Sequence, residues 1–191
     1  MLTEKQFRER TRAGLQQIGA QLRGIAADRE VYRRFEQEIV GPNPQLHARS
    51  AFLDMVRGCY ADGMILRALR LLEPQEGEPS LPRILEQLAE HPELLHDRVT
   101  QREFADDRGA LERAAARLHK LPHSRCDHHE RTIPALASTY RALDEAIDLL
   151  LETAKTYYWV LSDCYLDLGI ADTDDGLSVF HVAWAMPAQV G

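Results

Sequence analysis

Four of the eight histidines, His119, His123, His128 and His129, fall within eleven residues. Arg117, Lys120, Arg125, Cys126, Asp127 and Glu130 accompany them. Imidazole titrates near neutrality, so it can pass a proton in catalysis or bind a metal as a neutral ligand. Three chemistries compete for this cluster. In the first it is a solvated polar loop with no further role, the usual fate of a charge-rich run. In the second it holds a metal: His119 and His123 are four apart, and Cys126 or His128 would complete the set. Pro122 interrupts the helix between them, and no companion Cys/His pair occurs elsewhere. In the third it is a metal-free site that cleaves nucleic acid, where Arg117 steadies phosphate charge and His123 handles a proton.

These residues stand where a helix gives way to a loop, and the pattern around them is helical. Thr3 is the expected cap of a helix to about Ala27, carrying Phe7, Leu15, Ile18, Leu22 and Ile25 on one face, with Asp28 capping a continuation to Ile39. Gly41-Pro42-Asn43-Pro44 breaks the chain. A long helix is expected from Gln45 to Glu73, with Phe52, Val56, Cys59, Gly63, Leu66 and Leu69 facing the core. Gly58 and Gly63 cost propensity there unless another helix comes close. Ser80 caps a short helix with Pro82 in its first turn. The next helix spans about Thr100 to Leu121 and ends at the cluster.

The last helix begins near Pro134. Its face, Ile133, Leu136, Tyr140, Leu143, Ile147, Leu150, Ala154, Tyr157, Leu161, Cys164 and Leu168, keeps steps of three and four like a heptad seam, and Gly169 stops it. Cys59 and Cys164 read as small core residues, and Tyr157, Tyr158 and Trp159 as packing groups. The expected fold is all-α: an antiparallel helical bundle with short helices, one domain over residues 1–170, and an apolar tail over 171–191 that packs on the domain or on a partner. Leu177, Val179, Phe180, Val182 and Trp184 make that tail apolar.

Composition narrows the field. A net charge of −7 and a pI near 5.6 argue against a nucleic-acid coat protein. Three widely spaced cysteines fit a reducing compartment and no disulfide framework. The start MLTEKQFRERTR lacks the apolar core of a signal peptide, and no run is apolar enough for a membrane helix. A cytoplasmic protein without a membrane partner is the expectation.

Arg117-Leu118-His119-Lys120-Leu121-Pro122-His123 fits Arg-x(4–6)-His, and with its place at the junction into the last long helix it resembles the motif of HEPN domains. Phe52 to Pro74, Ser80 to Leu85, Thr132 to Leu136, Leu143 to Asp148 and Tyr157 to Leu161 are similar to successive helices of the abortive-infection type U branch of that group. The resemblance spans roughly residues 30 to 168. The chain departs from the branch's pattern at Leu118, at Lys120 (one place late) and at Pro122, and a second alignment sets His119 in the arginine's place.

The resemblance implies a homodimer with two motif copies facing each other. It also implies metal-independent RNA cleavage by a toxin of a defence or toxin–antitoxin system. Arg117 and His123 would be catalytic, Asp127 would orient a histidine, and His119 and His128 would assist, with RNA as substrate, a possible antitoxin partner and no cofactor. A catalytically inactive HEPN-like dimeric module that binds or regulates is the alternative, and a metal-binding helical bundle is a second. Arg67 and Arg70 are expected to line the same groove as the motif.

Overall fold

The structure is a computed structural model that describes residues 4–47, 51–74, 76–95, 98–121, 133–162 and 164–168. Among the described residues it is an all-α bundle without strands. The main helices are α1 (Glu4–Arg34), α3 (Ala51–Leu72), α4 (Leu81–Ala89), α5 (Gln101–His119) and α6 (Ile133–Ser162), with a single-turn α2 (Pro44–His47) after the Gly41-Pro42 break. α6 packs along α1, α3 and α5. None of the described helices is long and apolar enough to cross a membrane.

The core follows the apolar period of α1 and α6. Leu15, Ile18, Leu22 and Ile25 are buried against Leu143, Ile147, Leu150, Ala154, Tyr157 and Leu161. Asp28 does not restart α1: the helix runs unbroken to Arg34, and Asp28 pairs with Arg67 of α3 instead. α1 then widens into a π-helical turn, Phe35–Val40, closed by the Gly41 N–H on the Glu36 carbonyl at 2.8 Å. That five-residue step is the mark of a π-turn, an uncommon shape that recurs at functional sites.

Two helix starts were legible. Thr100 and Glu103 cap α5 reciprocally: the Glu103 N–H donates to Thr100 Oγ1 at 3.2 Å, and the Thr100 N–H donates to Glu103 Oε2 at 2.8 Å. Ser80 has the extended backbone of a cap with Pro82 following, yet its buried hydroxyl makes no capping bond. The cap expected at Thr3 lies outside the described residues.

α3 departs most from expectation. Its buried face is Leu53, Ala61, Met64, Ile65, Ala68, Leu69, Leu71 and Leu72. Of the positions expected to face the core, Phe52, Cys59, Gly63 and Leu66 are exposed and only Leu69 is buried. The helix is apolar on both sides, so periodicity alone could not say which side turns inward.

α6 also ends earlier than the seam suggests. The Ser162 hydroxyl donates to the Tyr158 carbonyl at 2.6 Å and accepts the Cys164 N–H at 3.3 Å. Cys164 is therefore exposed rather than a core residue, as is Cys59. Beyond the helix, Leu166 lies back on α1 over Gly19, where a Cβ would stand 3.0 Å from its Cδ1. Arg23 ties down the same stretch through the Asp167 carbonyl. The stop expected at Gly169 and the apolar tail lie outside the described residues.

Candidate functional site

Arg117 occupies the last turn of α5, and its side chain is 58% exposed. It lines a shallow groove of about 200 Å³ between α5 and α6, walled by Ala110, Arg113, Ala114, Ala142, Glu145 and Leu149. The alanines let the two helices run close and leave the groove's ends to the long side chains. Arg117 Nη2 is 2.8 Å from Glu145 Oε2, and Arg141 Nε donates to the other oxygen at 3.1 Å. Those bonds, from Arg117 first and Arg141 second, hold the Glu145 carboxyl below the usual glutamate range.

His119 is drawn elsewhere. Its Nε2 contacts a Glu73 carboxylate oxygen at the end of α3, so the pair links α3 to α5. His119 and Arg117 are both half exposed and held by different carboxylates. His123, Asp127 and His128, like Cys126 and His129, lie outside the described residues, which resume at Ile133 in α6. Among the described residues no three His, Cys, Asp or Glu side chains are grouped to hold a metal ion. Arg67 does not line this groove, because it reaches across to Asp28 of α1; Arg70 does not line it either.

A second polar centre had no signal in the sequence. It lies beside the π-turn, in a cleft of about 220 Å³ lined by Tyr32, Arg33, Glu36, Gln37, Tyr60, Tyr140, Leu143 and Asp144. Tyr32 and Tyr60 stack with centroids 3.7 Å apart and planes within 7°. Arg57 grips Glu36 side-on, Nε to Oε1 at 2.8 Å and Nη2 to Oε2 at 2.9 Å. The Tyr32 hydroxyl donates to the same carboxylate at 2.8 Å and stands 3.1 Å from that of Tyr140, which donates to the Arg57 carbonyl at 3.1 Å.

Burial alone would raise the Glu36 carboxyl, but the Arg57 and Tyr32 bonds outweigh it and hold the group below its ordinary value. Burial, with Asp144 nearby, pushes the Tyr60 phenol up to about 12. Burial and the Tyr140 bond push Tyr32 further up. Both phenols therefore stay neutral at physiological pH. Asp144 faces Arg33 at 3.2 Å and Arg29 at 3.7 Å. The charges described here are paired, Arg57 with Glu36 and Arg33 and Arg29 with Asp144, so the centre fastens the π-turn to α3 and α6. Tyr32 and Glu36 are four apart in sequence, but Arg57, Tyr60 and Tyr140 come from other helices, and nothing local announces their meeting.

No protein-family model, curated protein or solved structure matches this chain.

Proposed function

We propose that this chain is a HEPN-type, metal-independent endoribonuclease acting as the toxin of a defence or toxin–antitoxin system. The observation that carries the reading is Arg117. It is an exposed guanidinium at the mouth of a groove, on the last turn before the segment that bears His123, Asp127 and His128. In the sequence, Arg-x(4–6)-His falls at the passage from α5 to α6, and that position supports the reading.

On this reading the His123 imidazole takes the proton of a ribose 2′-hydroxyl. The 2′-oxygen bonds to the adjacent phosphorus, and the bond to the 5′-oxygen breaks. The leaving oxygen takes a proton, giving a cyclic phosphate and a free 5′-hydroxyl. Arg117 exchanges Glu145 for the phosphate and stabilises the charge that gathers there. Asp127 orients an imidazole, and His119 and His128 assist. RNA is then the substrate, two copies of the chain the working unit, and an antitoxin the expected restraint.

The test is induced expression of wild type beside Arg117→Ala and His123→Ala, with RNA cleavage followed in EDTA. Growth arrest and cleavage that both changes abolish support the enzyme. A harmless wild type that cleaves no RNA overturns it. A second reading, a non-catalytic dimeric binding or regulatory module, is favoured by one contact: Glu145 already occupies the guanidinium that a phosphate would need. Glu145→Gln separates the two, raising RNA cleavage in the enzyme and leaving the module inactive.

A further inference from the structure

The start of α4 opens on a cleft of about 260 Å³ between α1 and α4. Two arginines flank it, Arg10 from α1 and Arg83 from the first turn of α4, and each helix adds a glutamine, Gln17 and Gln87. Both arginines are exposed, and Arg10 makes no ion pair among the described residues. Glu78, from the loop before α4, adds one carboxylate to the lining. Two positive groups and one negative group therefore face the cleft, in a chain whose net charge is −7. Gly14 lets the two helices close there: a Cβ would stand 3.3 Å from Ile84 Cδ1 and 3.7 Å from Pro79 Cβ.

Ser80 carries the argument. It lines the same cleft at the N-cap of α4, is 1% exposed, and has the extended backbone of a cap. A serine in that place ordinarily accepts a bond from an N–H of the first turn. This one does not, and its buried Oγ has no hydrogen-bond partner among the described residues. A buried hydroxyl left unpaired costs stability, and such groups are normally satisfied by the protein or by something it holds. The Ile84 N–H closes the first turn of α4 on the Ser80 carbonyl at 3.1 Å. The positive end of the helix dipole thus falls beside the unpaired hydroxyl and the two guanidiniums.

We propose that this cleft binds a phosphate monoester of a small polyol. The phosphate sits at the start of α4, taking bonds from the Ser80 hydroxyl and the Arg10 and Arg83 guanidiniums. Gln17 and Gln87 can both donate and accept, which suits the hydroxyls of the polyol. Glu78 can only accept when ionised, so it favours a ligand that brings a hydroxyl and disfavours a bare phosphate. The cleft is smaller than the roughly 300 Å³ at which sites for drug-sized ligands begin, which limits the polyol to about the size of one sugar. The cleft shares no residue with the α5–α6 groove, so the inference does not rest on the ribonuclease reading.

The test is calorimetric titration of the full chain with ribose 5-phosphate, inorganic phosphate and ribose, beside thermal melts. Wild type is expected to bind ribose 5-phosphate about tenfold more tightly than inorganic phosphate, the worth of one or two further hydrogen bonds, and to give no heat with ribose. Arg10→Ala should weaken the ester by roughly 10- to 100-fold, as for a bond between charged groups, with the melting midpoint of the free chain unchanged. Ser80→Ala should weaken the ester about tenfold and leave the midpoint of the free chain unchanged or higher, because no bond is lost. A serine acting only as a helix cap would do the reverse, lowering the midpoint and sparing the affinity. Glu78→Gln should tighten inorganic phosphate and narrow the ester's advantage. A wild type that binds neither phosphate compound, equal affinity for the two, or binding that Arg10→Ala or Ser80→Ala leaves intact would each overturn the proposal.

Discussion

Two arginine–carboxylate pairs in this molecule have nearly equal contact distances and opposite characters. Arg57 and Glu36 meet through two parallel bonds at 2.8 and 2.9 Å, both side chains are little more than a quarter exposed, and a phenol completes the carboxylate's shell. Arg117 and Glu145 meet through one bond at 2.8 Å, both are about half exposed, and the carboxylate is shared with the still more exposed Arg141. A fork-to-fork pair held away from water is anchored, and losing one partner strands the other. A single contact in water is weak and exchangeable. Distance alone would rank the pairs together, whereas burial and the number of bonds separate structure from availability.

The largest effect should come from Arg57→Ala. It leaves Glu36 half-buried with only Tyr32, in the centre that binds the π-turn to α3 and α6. A loss of about 2 kcal/mol is expected in urea denaturation, between the values for exposed and for buried ion pairs. The pH dependence sharpens the point. Glu36 in the folded state lies below its ordinary value of 4.5. It therefore contributes stability that is fully present above that value and disappears as pH falls through the lower, folded one. In Arg57→Ala the carboxyl has lost its main anchor, so the acid-dependent loss of stability attributable to Glu36 should shrink or reverse. A variant with the wild-type acid limb would show that the anchor is not Arg57.

Tyr32→Phe is the intermediate case. It removes the hydroxyl bonded to Glu36 but keeps the ring stacked on Tyr60. Arg57 still holds the carboxylate, so a loss of about 1.5 kcal/mol is expected, the low end for a hydrogen bond to a charged group. Tyr60→Phe, whose hydroxyl enters no such bond, should cost less. Equal losses from both would mean that the rings rather than the hydroxyl network fasten the turn.

Much of the fold was legible because it rests on local rules. The periods of α1 and α6, the helix start near Thr100 and the Gly41-Pro42 break each lie within a few residues, and the helices follow them. The inner face of α3 was not legible, because both of its faces satisfy the same period and only its neighbours decide between them. The tyrosine centre was invisible for a related reason: Tyr32, Arg57 and Tyr140 are brought together by tertiary packing, and the π-turn that frames them has no sequence signal. Of the candidate site, Arg117 stands at the helix end where its spacing put it. The carboxylate that holds it, Glu145, is 28 residues away in the chain and could not be read from the motif.

The smallest effect on stability, and the one that carries most meaning, belongs to Arg117→Ala. The pair it breaks is exposed, single-bonded and partly replaced by Arg141, so the denaturation midpoint should not move measurably. Raising salt to 0.5 M, where the screening length falls to roughly 4 Å, should remove what little the pair contributes, while the Arg57–Glu36 pair should persist. If Arg117 were a structural residue like Arg57, its removal would destabilise the bundle and any lost activity would follow from unfolding. A chain that keeps its midpoint and loses RNA cleavage instead identifies a guanidinium whose work is done on a ligand. Glu145→Gln then reads the same contact from the other side: stability unchanged and cleavage raised if the carboxylate merely occupies Arg117 until phosphate arrives, or cleavage lost if it is needed to aim the guanidinium.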